Sequence, residues 1–162
     1  MKFILIYYFI YSIYFFVKFI NPSDFVAFLN VGQGDAIFIK SAQLTGLVDG
    51  GPDYTLDRFV DNQIPFFNCD LDFILATHPH KDHIAGLNRV LKRCKSKRVL
   101  INYVEYKSGE WSNLLNQAMA NSKIYSYPDL STLRTANLTI TFLAKSSKSC
   151  GTDVNVCSLV TV

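Results

Sequence analysis

The chain has no pair of cysteines at C-x-x-C spacing, so Cys69, Cys94, Cys150 and Cys157 offer no zinc-ribbon framework. In an oxidising compartment four cysteines allow two disulfides in three connectivities. As small buried thiols they need no partner, and the sequence favours that simpler state. Charge of one sign is scarce as well. The formal net charge is +3, which does not by itself call for a nucleic-acid partner. No internal repeat is visible, and 162 residues make one domain's worth of chain. Histidine is the most unevenly placed residue: there are three, all within Thr77-His78-Pro79-His80-Lys81-Asp82-His83.

Hydrophobic residues make up 49% of the chain, at the upper edge of the soluble range, and they are concentrated at the start. Residues 3–20 are almost wholly apolar, broken by Ser12 and Lys18, with Lys2 before them. At about 1.5 Å per residue such a helix just crosses a bilayer core of roughly 30 Å. A secretory signal peptide is the close rival, but no A-x-A cleavage site follows. A helix buried in the domain is the third reading. Residues 1–22 are therefore expected to be a membrane anchor or signal peptide, with residues 23–162 forming a domain on the extracytoplasmic side.

Beyond the leader, Phe25 to Leu29, Ala36 to Lys40 and Leu44 to Val48 read as strands. Val31-Gly32-Gln33-Gly34-Asp35 and Asp49-Gly50-Gly51-Pro52-Asp53 between and after them read as tight turns. Leu56, Phe59, Val60 and Ile64 have helical spacing, and Phe73 to Ala76 is a short apolar run expected to be a buried strand. Ile84, Leu87, Val90 and Leu91 share one face of a helix beginning just after His83. Val99 to Val104 is a further strand, and Trp111, Leu114, Leu115, Ala118 and Met119 mark another helix. Lys123 to Tyr127, Leu138 to Leu143 and Ser158 to Val162 read as strands. Mixed strands and helices predict a layered α/β (α+β) architecture with a mixed sheet.

Three imidazoles and a carboxylate within six positions are poorly explained by packing, and an accidental polar loop leaves the clustering unaccounted for. Imidazole nitrogen and carboxylate oxygen are the common ligands of divalent metals. His78 and His80 are two apart, so in an extended loop they point the same way and can grip one cation. Asp82 and His83 point elsewhere, toward a second, and two-metal sites hold their ions about 3.5–4 Å apart. Pro79 stiffens the loop. The candidate metal ligands are thus His78, His80, Asp82 and His83, with Asp82 the candidate catalytic residue. Asp49, at the end of a neighbouring strand, can support a ligand from behind or simply form an Asx turn. The run Lys92, Arg93, Lys95, Lys97 and Arg98 can track a phosphate backbone, or complement a helix end as solvated cations, and the second is favoured.

The stretch Thr77-His78-Pro79-His80-Lys81-Asp82-His83 resembles the signature of the metallo-β-lactamase superfamily. Phe28-Leu29-Asn30-Val31-Gly32-Gln33-Gly34-Asp35, Leu47-Val48-Asp49-Gly50-Gly51 and Ile84-Ala85-Gly86-Leu87 are similar to the hydrolase-like domain of the ComEC/Rec2 competence proteins. The resemblance implies an αββα sandwich with its metal site at one sheet edge, two divalent ions, zinc or manganese, and a hydrolase that uses metal-bound hydroxide. It assigns His78 and His80 to one ion and Asp82 and His83 to the other. For the competence group it implies a phosphodiester or nucleic-acid substrate and a place outside the cytoplasm. The superfamily pattern also calls for a further His, a bridging Asp and a last His. The chain has no fourth histidine: Asn155 stands near the first of these positions, and the others would fall after Val162. The expectation is a sandwich cut after its first half, with one sheet face bare and each ion short of ligands. A further segment or second chain would have to complete it. Against the enzyme stand two rivals, a decayed non-catalytic fragment and a nucleic-acid-binding module using the basic run.

Overall fold

The run Phe73–Ala76 forms the strand the sequence predicts, β5, and all four of its side chains are buried. A strand buried on both faces needs a layer on each side, and that requirement organises the molecule. The computed structural model describes residues 2–20, 24–64, 69–102, 104–126, 130–143, 155 and 158–162. Its main sheet has six strands: β1 (Phe25–Phe28), β2 (Ile37–Lys40), β3 (Thr45–Val48), β5, β7 (Arg98–Ile101) and β8 (Lys123–Ser126), in that spatial order. The first three form an antiparallel meander. From β3 to β8 the pairing is parallel. Parallel neighbours need crossovers, supplied by α2 (Thr55–Gln63), α3 (Lys81–Val90) and α4 (Gly109–Asn121).

All three helices cover one face. Leu56, Val60, Ile84, Leu87, Trp111 and Leu114 pack there with Phe38, Leu47, Ile74, Ala76, Val99 and Ile101. The strand period of two sends Phe73 and Leu75 to the opposite face. There they meet Leu133, Ile140, Phe142 and Leu159. These belong to or flank a second sheet of β9 (Thr132–Arg134), β10 (Thr139–Leu143) and β11 (Val160–Thr161). The Phe73 and Phe142 rings lie edge to face with centroids 6.1 Å apart. The sequence suggested a bare far face, but four buried side chains, Leu133, Ile140, Phe142 and Leu159, cover it, because the short strands after residue 130 fold back across it.

Two more expectations are revised. Helix α3 begins at Lys81 rather than after His83, so Asp82 and His83 lie in its first turn. The cysteines read as free thiols include a disulfide, Cys69–Cys94, with Cα atoms 4.6 Å apart. The cause is local: β4 (Asp70–Leu71) and β6 (Lys95–Ser96) pair in parallel, and Lys95 N–H donates to the Cys69 carbonyl at 2.9 Å. Cys150 and Cys157 lie outside the described residues. The leader forms α1 (Lys2–Ile20), in which Ile4, Ile6, Tyr7, Tyr8, Phe9, Ile10, Tyr11, Ile13 and Tyr14 are exposed rather than packed into the domain. Among the described residues no helix is long and apolar enough to cross a membrane.

Candidate metal centre

Three loops meet at the carboxyl ends of β3 and β5, where an α/β sheet leaves room for a site. Backbone hydrogen bonds lock them together. Gly50 N–H donates to the His83 carbonyl at 2.6 Å, Gly51 N–H to the Asp35 carbonyl at 2.8 Å, and Gly86 N–H to the Gly51 carbonyl at 3.0 Å. The contact tolerates no side chain. A Cβ on Gly86 would lie 1.8 Å from the Gly50 carbonyl oxygen, and one on Gly34, itself at φ +88°, 1.9 Å from that of Asp82. One glycine from each sequence turn, Gly34 and Gly50, is therefore spent on close approach to α3. The second sheet reaches the same place, since Leu159 N–H donates to the Thr77 carbonyl at 3.0 Å.

Asp49 is the pivot. It is buried, and it sits at φ +53°, a left-handed conformation that Asp enters more readily than most residues. Its carboxylate accepts from Thr77 N–H at 2.8 Å and Thr77 Oγ1 at 2.6 Å, and it lies 2.7 Å from His83 Nδ1. The carboxylate thus fixes the Nδ1–H tautomer of His83 and leaves Nε2 for a metal, the arrangement metal-binding histidines ordinarily show. Thr77 Oγ1 lies 3.0 Å from His78 Nδ1 and orients that ring likewise. The His78 ring centroid is 3.9 Å from that of His83 and 4.9 Å from that of His80. His83 Nε2 is 3.9 Å from Asp82 Oδ2.

Burial, with the neighbouring His83 and His80, lowers the pKa of His78 to about 4. It is therefore neutral, its ligating form, at physiological pH. Burial also pulls His83 down, but the bond and charge of Asp49, with Asp82 and Asp35, outweigh it and raise its pKa. Asp49 itself is raised by burial, against the bonds from His83 and Thr77.

Of the residues picked from sequence, His78, His80, Asp82 and His83 do come together, and Asp49 stands behind them. Ligand-capable atoms of Asp49, His78 and His83 all lie within 4.8 Å of one another. Both Asp49 oxygens are already engaged by Thr77 and His83, so the carboxylate is placed to orient His83. The basic run does not present one face. Arg93 pairs with Asp57 (3.3 Å) and Asp61 (2.6 Å), Lys97 pairs with Asp72 (2.7 Å), and Arg98 donates to the Asp72 carbonyl. Lys92 and Lys95 are exposed. Two neighbours of the site were missed. Asp35, 71% exposed, has Oδ2 3.9 Å from His83 Nδ1. The Tyr106 ring stands 5.6 Å from that of His80. Asp35 was legible as the end of the glycine turn; nothing in the sequence singled out Tyr106.

The profile of the metallo-beta-lactamase superfamily matches residues 29–124, more than half of the chain. The chain belongs to this superfamily. No curated protein matches it significantly. Among solved structures, the metallo-beta-lactamase SMB-1 bound to 2-mercaptoethanesulfonate superposes with a TM-score of 0.52 at 22% identity, over 76% of this chain and 52% of its own. MEM-A1, a subclass B3 metallo-beta-lactamase from a soil metagenome library, gives 0.51 at 19%, over 77% and 53%. The Rm3 metallo-beta-lactamase gives 0.51 at 16%, over 76% and 50%. The chain thus spans about half the length of these superfamily structures, and the likeness is one of fold.

The superfamily's divalent metals suit the residues present. Two imidazoles have Nδ1 engaged by protein partners, which directs Nε2 outward, and one of them is held neutral at physiological pH. A carboxylate lies within 3.9 Å of the second imidazole. Nitrogen and carboxylate donors in this combination are those zinc takes.

Proposed function

We propose that this chain carries half of the active site of a metal-dependent phosphodiesterase of the competence type, acting on nucleic acid. The observation that carries the reading is the convergence of His78, Asp82 and His83, with Asp49 and Thr77 setting the orientation of both imidazoles. A divalent ion bound there would supply Lewis acidity and an activated water nucleophile. His78 and His80 would hold one ion, and Asp82 and His83 the other. Asp49 holds the proton on His83 Nδ1, so the free lone pair stays on Nε2. The amino terminus of α3 lies in the same place, and its N–H groups favour an anion such as a phosphodiester oxygen. The remaining ligands would come from a further segment or a second chain.

We also propose that α1 tethers the domain to a membrane on the extracytoplasmic side. Its exposed aromatic and aliphatic side chains support this, and so does the Cys69–Cys94 disulfide, since such bonds persist mainly in oxidising compartments. Metal analysis after dialysis, with hydrolysis of bis(p-nitrophenyl) phosphate under zinc and under manganese, tests the enzyme. Retained metal and turnover are expected; no retained metal and no turnover under either would overturn it. Vesicle co-sedimentation of the full chain, against a form lacking residues 2–20, tests the tether, and equal sedimentation would refute it.

A further inference from the structure

A groove of about 360 Å³ lies between α3 and α4, along α3 from the metal loop. One wall is Lys81, Ala85, Asn88 and Arg89, spaced i, i+4, i+7 and i+8 on one face of α3, continued by Lys92 in the turn just past its end. Its α4 wall is Glu110, Asn113 and Gln117, spaced i, i+3 and i+7, and Pro52 closes one end. The size is that of a site for one small ligand. Three cations line it, and none of them makes an ion pair among the described residues. Of the neighbouring basic run, Arg93 and Lys97 are by contrast paired with carboxylates.

The groove is also structured. Asn88 is buried, donates Nδ2–H to the Glu110 carbonyl at 2.9 Å and accepts from Gln117 Nε2 at 3.0 Å, which ties the two walls together. Arg89 is held by stacking, its Cζ 3.7 Å from the Tyr54 ring centroid. Gln117 Oε1 is buried with no hydrogen-bond partner among the described residues, a costly state that a ligand donor would relieve. An occupant should therefore bring negative charge for Lys81, Arg89 and Lys92, and a hydroxyl or amino donor for Gln117 and Glu110. A nucleotide has both.

We infer that the groove between α3 and α4 seats one nucleotide of a single nucleic-acid strand, with its phosphates against Lys81, Arg89 and Lys92. As a subsite for substrate it rests on the phosphodiesterase reading; its capacity to hold a phosphate-bearing strand does not. Lys92 belongs to the groove because the turn after α3 places it on the groove's rim, not through the charge run in which it stands.

The test is fluorescence anisotropy of labelled oligothymidylate with the full metal-free chain in chelator. Three phosphate contacts predict a slope of log affinity on log salt of about −2. Reversing Lys81→Glu and Lys92→Glu together should weaken binding by about tenfold or more at low salt and bring the slope to about −0.7. Inorganic pyrophosphate should compete with the strand. Lys95→Glu, an equal single charge change on an exposed residue off the groove, should change affinity less than either groove variant alone. Unchanged affinity in the double variant, or a loss in Lys95→Glu equal to that of a single groove variant, would each overturn the inference. Failure both to retain metal and to hydrolyse the chromogenic diester would sink the enzyme reading while leaving this one standing.

Discussion

Replacing Asp49 by Asn separates an orienting carboxylate from a ligand. Asn is at home at positive φ, so the backbone at φ +53° is not disturbed. Its Oδ1 can still accept from Thr77 N–H, now at 2.8 Å. Its Nδ2 then faces Thr77 Oγ1, which can turn to accept, and His83 Nδ1, which cannot accept while it carries a proton. Either two donors confront each other in a buried site, costing about 1–3 kcal/mol, or His83 moves its proton to Nε2 and ceases to be a ligand there. For a chain of this size the first outcome lowers Tm by roughly 3–10 °C. The second lowers metal affinity by about 10–100-fold. Asp49→Ala should be worse by about 1–2 kcal/mol more, since Ala pays for the left-handed backbone. Circular-dichroism melts and zinc calorimetry on the single variants and on the Asp49→Asn/His83→Ala double variant measure all of this. If Asp49 acts through His83, the double variant binds zinc no more weakly than His83→Ala alone. Additive losses would mean that Asp49 is itself a ligand, and an unchanged zinc affinity together with an unchanged Tm in Asp49→Asn would refute the orienting role altogether.

Removing the disulfide by Cys69→Ala/Cys94→Ala opens a loop of 25 residues' separation, which in the chain-entropy account costs about 3.5 kcal/mol; urea titration with and without reductant reads it, and a loss below about 1 kcal/mol would contradict the expectation. Gly86→Ala should destabilise by about 3 kcal/mol or more, because its Cβ would fall 1.8 Å from the Gly50 carbonyl oxygen. Gly109→Ala, with open space around it at the start of α4, should be neutral or stabilising by about 0.4–1 kcal/mol in the same urea assay. The metal-free protein should lose stability as pH falls from about 6.5 to about 4, because unfolded His78 takes up a proton that the folded site refuses. His83, with its pKa raised, works in the opposite sense, adding stability below 6.5 that is lost as pH rises through its folded value. Urea midpoints across this range should therefore flatten in His78→Ala, and an identical pH profile would show that His78 is not held neutral.

How much of this was legible depended on whether a local pattern had a single structural solution. Phe73–Ala76 had one, since four apolar residues between turn signals can only be a buried strand or a short buried helix, and four is too few for the helix. The face of α3 was equally plain from Ile84, Leu87 and Val90, but its start was not. Asp82 and His83 read as loop because they were chosen for their chemistry, whereas the helix begins as soon as Pro79 is past. The disulfide was illegible for a different reason. Cys69 and Cys94 meet only because two two-residue strands pair in parallel, and neither strand is long enough to show a period. Of the second sheet, the strands at Thr139–Leu143 and Val160–Thr161 fall inside runs the sequence marks, but the first was missed: Thr132–Arg134 carries one buried residue, Leu133, so no alternation announces it.

The site divides along the same line. The histidines were visible because they fall within six positions of the chain, whereas what makes them a site comes from elsewhere in it. Asp49 lies 34 residues before His83 and bonds it at 2.7 Å, and Gly34, Gly50 and Gly86 are what allow α3 to come that close. None of these contacts needs an ion in order to form, since all are hydrogen bonds or bare van der Waals approaches within the chain. The entropic cost of bringing Asp49, His78 and His83 together is therefore met during folding rather than on binding. It follows that any weakness of this chain as a metal binder should lie in how many ligands it brings, not in how loosely it holds them. Adding a single well-placed imidazole from a second chain or a further segment should then raise affinity steeply, whereas rigidifying the loop further should change it little.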